Sequence, residues 1–145
     1  MTQHPPLLLI VNAAKDAFEM LEFAFQHEGY RTETIQARDV RQGTIDMVEV
    51  VEAHGVNVIV YDIAIPYEEN WQFLQMLRAR AGERLPPIVI TTTNKNALDR
   101  LTGEQTQALE ILGKPYDLGK LIAAVRRVTP AGLAESAANR QFDSR

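Results

Sequence analysis

The sequence predicts a doubly wound α/β domain built on five parallel strands. Three observations carry that prediction. Short runs rich in Leu, Val and Ile, at 7–11, 56–61 and 87–91, alternate with segments of helical periodicity. The runs are apolar throughout rather than on alternate residues, as in strands buried on both faces. Enough chain separates them for a crossover helix, the connection that parallel neighbours require.

Each element follows in order. Leu7 to Val11 is the first strand. A helix starts at Asp16, whose carboxylate can cap free N–H groups; Ala17, Met20, Leu21 and Ala24 recur at helical spacing, and Gly29 closes it. Arg31 to Gln36 alternates and reads as a short, more exposed strand. Thr44 to Ala53 is helical, with Met47, Val48 and Val51 on one face and His54-Gly55 at its end. Val56 to Tyr61 is the third strand. Asn70 to Arg80 is a helix with Phe73, Leu74 and Leu77 inward, and Pro87 to Thr91 is the fourth strand. Residues 96–109 read as a short helix, a break at Thr102-Gly103 and a second helical piece. Ile111-Leu112 is the fifth strand, and Asp117 to Arg127 is a helix striped by Leu118, Leu121, Ile122 and Val125. The domain is expected over 1–128. Residues 129–145, polar and Ala-rich with Pro130 and Gly132, read as a disordered or loosely helical tail.

Composition narrows the function classes. The chain has 145 residues, 46% hydrophobic and 23% charged, which suits one domain with one core. It has no cysteine, so disulfides, thiolate metal sites and a cysteine nucleophile are excluded. A net charge of −4 provides no basic field for nucleic acid or an acidic membrane. No apolar run approaches the roughly 18–20 residues that span a bilayer. Met1 to Pro6 has no secretory pattern, so the cytoplasm is the expected compartment.

Sheets of this class place ligands at the carboxyl ends of their strands. The residues there are Asn12-Ala13, Asp62, Thr92 and Lys114. With Pro66 four residues after Asp62, Pro115 after Lys114 and Gly29-Tyr30 after the first helix, this set resembles the receiver domain of two-component response regulators. The resemblance covers about residues 7–128. It implies a flavodoxin-like sheet in the strand order 2-1-3-4-5. It also implies a phospho-acceptor at Asp62, a phosphoryl-contacting and switch pair at Thr92 and Lys114, and a Mg²⁺ site of Asp62 with the Ala64 carbonyl. Asn70 stands where the family usually has glycine, and Asn tolerates a left-handed backbone better than most residues.

The departure from the family pattern lies at the acidic pair after the first strand. Asn12 offers a neutral oxygen and Ala13 offers none, whereas a hard cation prefers carboxylates. A unit charge at about 4 Å is worth roughly 4 kcal/mol at an effective dielectric near 20. Losing the metal would slow phosphoryl transfer on the order of a thousandfold, at about 1.4 kcal/mol per factor of ten. Glu68 and Glu69 follow Pro66, but their spacing does not direct them to the site.

Plainer readings stand beside these. Asp62 alone would be a turn acid and Lys114 a surface lysine; their joint placement favours a pocket in which the two pair. Two of Thr91, Thr92 and Thr93 serve only as β-formers. His4, His27 and His54 form no metal pattern and read as surface residues. Phe18, Phe23 and Phe25 read as core or flank packing, and Trp71 as packing at a helix start or on a partner surface. Arg126-Arg127 suit the negative end of a helix dipole. Ile111 replaces the aromatic residue receivers often carry there, which removes the usual rotamer switch with Thr92 and Tyr116.

Three functions follow. The first is a non-enzymatic signalling module: an atypical receiver with weak or absent Mg²⁺-dependent phosphorylation. It would act by protein contact, or as a homodimer, through the face built from 94–128. The second is a conventional receiver that accepts phosphate on Asp62 from a histidine kinase or phosphotransfer protein. The third is a small α/β enzyme or nucleotide-binding protein, against which Asn12-Ala13-Ala14-Lys15 offers no glycine-rich phosphate loop. The residues after Val128 are too few for a DNA-binding domain, so the chain either acts through a partner or is part of a longer one.

Overall fold

The structure, a computed structural model, describes residues 5–12, 15–103, 109–110 and 115–130, with the backbone alone at 15–18, 109–110 and 115–117. Among the described residues five strands are present: β1 (Leu7–Asn12), β2 (Arg31–Gln36), β3 (Val58–Ile63), β4 (Ile88–Thr92) and β5 (Leu109–Glu110). They form one sheet in the order β2-β1-β3-β4-β5, and every neighbouring pair is parallel. Among the described residues six α-helices connect or follow them: α1 (Lys15–His27), α2 (Ala37–Arg41), α3 (Met47–His54), α4 (Tyr67–Ala81), α5 (Lys95–Thr102) and α6 (Pro115–Val128). This is the flavodoxin-like order expected from the sequence.

Strand alternation sorts the core into two layers. Leu8, Ile10, Val58, Val60 and Val89 face α1 and α6, where they meet Leu21, Phe25, Leu121 and Val125. Leu7, Leu9, Val11, Ile59, Tyr61, Ile63 and Ile90 face the other way, onto Met47, Val51, Trp71, Leu74 and Leu98. The apolar runs are therefore continuous because both faces of the sheet are covered. β2, at the sheet edge, has no fully buried residue, as its alternating polarity predicts.

Several boundaries differ from the sequence expectation. Residues 37–41 form a short helix that carries no capping signal; Ala37 and Val40 bury its inner face. Consequently α3 begins at Met47 rather than Thr44. Asp46 caps it, accepting from the backbone N–H groups of Val48 and Glu49, and Gly55 closes it at a positive φ of 70°. The first helix starts at Lys15, so Asp16 is a helical residue rather than the cap before it. α4 begins three residues before Asn70. Asn70 is thus helical, and among the described residues no non-glycine has positive φ, so its expected left-handed role is corrected. The last strand is Leu109–Glu110; the expected Ile111-Leu112 lies outside the described residues. α6 starts at Pro115, a residue preorganised for the first helical position. Phe25 is buried, but Phe23 is 77% exposed.

Described contacts reach one residue past Val128, to Thr129. The Tyr30 hydroxyl lies 2.8 Å from the Thr129 hydroxyl, which donates to the Val125 carbonyl at 2.6 Å. Arg126 pairs with Glu28 beside them. Together these contacts fix the end of α6 to the turn after α1. The remainder of the expected tail, 131–145, lies outside the described residues.

Candidate functional site

The site is built where β1, β3 and β4 end. Val11 pairs with Tyr61, so Asn12 and Asp62 are the next residues along two adjacent strands. Asp62 in turn pairs with Thr91. Alternation places Asn12, Asp62 and Thr91 on the same sheet face as Leu8, Ile10, Val58, Val60 and Val89. Asp62 lies inside β3 rather than after it, because Ile63 still pairs with Thr92.

The hydroxyl that meets Asp62 belongs to Thr91. Its Oγ1 donates to Asp62 Oδ1 at 2.7 Å. Thr92, the residue expected there, is fully buried on the opposite face; its Oγ1 donates to the Ile63 carbonyl at 2.9 Å and lies 3.4 Å from the Asn94 backbone N–H. Of the two threonines, it is Thr91 and not Thr92 whose hydroxyl meets Asp62. Strand parity held the signal: the face that carries Val60 and Asp62 in β3 carries Val89 and Thr91 in β4.

Burial raises the Asp62 carboxyl above its ordinary value, and the Thr91 hydrogen bond opposes that by favouring the charged form. Asn12 is 7% exposed. Ala13 and Lys114 lie outside the described residues, so the expected Asp62–Lys114 pair does too. Glu68 and Glu69 occupy the first turn of α4 and are exposed.

A third group completes the rim. The Ala64 carbonyl accepts from Asn70 Nδ2 at 2.8 Å, and Asn70 Oδ1 accepts from an Arg41 guanidinium N–H at 2.9 Å. Arg41 also lies near Tyr61, whose phenol is pushed up to about 12 by burial, with the guanidinium acting the other way. The loops after β3 and β4 approach each other as well, with the Tyr67 hydroxyl 3.4 Å from the Thr93 hydroxyl.

These residues fit a Mg²⁺ ion poorly. Such an ion takes carboxylate and carbonyl oxygens in near-octahedral geometry. Here one carboxylate stands beside a neutral Asn12, and the Ala64 carbonyl already has an amide donor. Among the described residues no group of three His, Asp or Glu side chains converges as a metal site. None of their helices is long and apolar enough to cross a membrane.

Comparison with known proteins identifies the family and the fold. The sequence profile of the Response regulator receiver domain matches residues 8–126. The transcriptional regulatory protein PcoR of Escherichia coli is 25% identical over 130 residues, covering 90% of this chain and 54% of that protein. The sensory transduction protein RegX3 of Mycobacterium tuberculosis is 26% identical over 125 residues, covering 86% and 51%. The chain spans about half the length of these curated relatives. Among solved structures, the chemotaxis protein CheY4 of Vibrio cholerae superposes with a TM-score of 0.57 at 21% identity, covering 83% of this chain and 98% of that one. A sensor protein from Polaromonas sp. JS666 gives 0.62 at 18% identity, covering 92% and 98%. Those two likenesses establish the fold, and the matched profile establishes the family: this chain belongs to the response regulator receiver domains of two-component signalling.

Proposed function

We propose that this receiver works chiefly as a protein-contact module, with little or no Mg²⁺-dependent phosphorylation of Asp62. One observation carries the reading. The Asp62–Thr91 contact is present, while the sequence positions after the first strand where the receiver pattern carries acids hold Asn12 and Ala13. A divalent ion then has one side-chain carboxylate where the receiver pattern supplies more, and the barrier to phosphoryl transfer rises accordingly.

Output would pass through the surface formed by 94–128, to a protein partner or a second copy. α5 presents Leu101 there, 51% exposed. A histidine kinase or phosphotransfer protein remains the partner class expected on the input side. We assign the domain no enzymatic activity, no nucleic-acid contact and a cytoplasmic setting. The net charge of −4 supports the second of these.

The test is incubation with acetyl phosphate and millimolar Mg²⁺, followed by intact mass measurement. The expected result is no saturable addition of a phosphoryl mass. Stoichiometric modification that Asp62→Asn abolishes would establish the conventional receiver instead.

A further inference from the structure

We infer that Asn70, oriented by Arg41, takes the place of the metal at the Ala64 carbonyl and holds the loop after β3 without a cation. This rests on the reading above and names the residues that act in the metal's stead.

The argument starts from donor chemistry. Arg41 carries only donors, so the atom of Asn70 that faces it is the side-chain oxygen. The amide nitrogen of Asn70 is then directed the other way, at 2.8 Å from the Ala64 carbonyl. Asn70 is 8% exposed, so its amide is largely shielded from water and depends on these two partners, where a lost one is costly. The guanidinium charge thus reaches the loop through one amide: it polarises the amide, and the amide donates to the oxygen that the receiver pattern assigns to the metal. Position 70 can do this because α4 begins early, at Tyr67. Its first turn carries the Asn70 side chain back to Ala64, two residues past Asp62.

A carbonyl bound in this way is a poorer metal ligand, since the amide must leave or share it when a cation arrives. Asn70 should therefore oppose Mg²⁺ even where the missing acids are restored. The experiment uses the full chain carrying Asn12→Asp and Ala13→Asp, alone and combined with Asn70→Ala or Arg41→Met. Mg²⁺ binding is read by calorimetry and by the fluorescence of Trp71. Asn70→Ala should tighten Mg²⁺ binding about fivefold to tenfold, the worth of one hydrogen bond of ~1 kcal/mol. Arg41→Met should tighten it by less, because the amide stays but loses its orienting charge. Circular dichroism shows that each variant is folded; should Asn70→Ala not fold, Arg41→Met alone decides.

Unchanged or weaker Mg²⁺ affinity in the folded variants would overturn the inference, as would no Mg²⁺ binding with or without Asn70. Tightening by Asn70→Ala without any effect of Arg41→Met would remove the part assigned to Arg41. The outcome is separable from that of the proposed function. Phosphorylation of the unaltered chain would defeat the proposed function, and the acid-restored comparison would still report on Asn70.

Discussion

Asp62→Asn should make this domain more stable at neutral pH and leave it unchanged in acid. Asp62 is partly buried, enough for desolvation to raise its carboxyl, and its described hydrogen-bond donor is one hydroxyl. An ionised carboxylate can accept about four hydrogen bonds. The effective penalty for burying such a charge is several kcal/mol, and one hydrogen bond to it returns roughly 1.5–3 kcal/mol. Asparagine keeps the Thr91 bond at about 1 kcal/mol and removes the charge. The variant should therefore gain about 1–3 kcal/mol at pH 7, or ~3–10 °C in Tm for a domain of this size. The sign follows from linkage. The folded value of Asp62 lies above the ordinary 3.8, so the native state holds its proton more tightly than the unfolded chain. Its contribution is fully present below that ordinary value and is lost as pH rises through the folded value. The gap between variant and parent should open over that window and close below about pH 3.8. Urea unfolding followed by Trp71 fluorescence at pH 7 and pH 3 reads it, with circular dichroism as a second probe of two-state behaviour. If Asp62→Asn instead costs about 3 kcal/mol at pH 7, the reasoning fails. That cost is the signature of a broken buried ion pair, and it would place a cation such as Lys114 on Asp62.

Four further outcomes are expected. Thr91→Val removes the donor to Asp62 and should cost about 1.5–3 kcal/mol at pH 7, less once the acid is protonated. Thr92→Val should cost about 1 kcal/mol with no such pH dependence, because its partner is the Ile63 carbonyl; equal pH profiles for the two variants would contradict the assigned register. Leu121→Ala should lose about 2–5 kcal/mol in urea unfolding, since Leu121 is fully buried between α6 and the sheet. Asp46→Ala should lose about 0.5–2 kcal/mol through the α3 cap, and an unchanged midpoint would refute that role.

The fold was legible because its strands are buried on both faces, which leaves an unmistakable pattern at 7–11 and 56–61. The position of Asp62 came through the same pattern, whereas the order of strands came from the resemblance to receivers. What failed to show was set by contacts between distant elements. α2 has five residues and two buried ones, too few for a periodic signal. Thr91 and Thr92 are chemically identical neighbours, so only the pairing of Asp62 with Thr91 distinguishes them. Asn70 read as a left-handed stand-in for glycine because its sequence neighbours say nothing of Arg41, 29 residues away in the chain and one hydrogen bond away in space.

Those misses bear on one question, which is how the site stays ordered with so few charges. Several carboxylates at the end of a sheet repel one another, and a divalent ion relieves that repulsion. Here the acid described at the ends of β1, β3 and β4 is Asp62, with neutral Asn12 beside it. The need for the ion falls with the repulsion it would relieve. One carboxylate can be held by a hydroxyl, and the loop beyond it by an amide. Thr91 supplies the first and Asn70, steadied by Arg41, the second. Restoring acids at 12 and 13 without touching Asn70 would thus bring back the repulsion before it brought back a good metal site. The acid-restored chain should accordingly lose stability in the absence of Mg²⁺ and regain it as the ion is added, the regain growing when Asn70 is replaced by alanine.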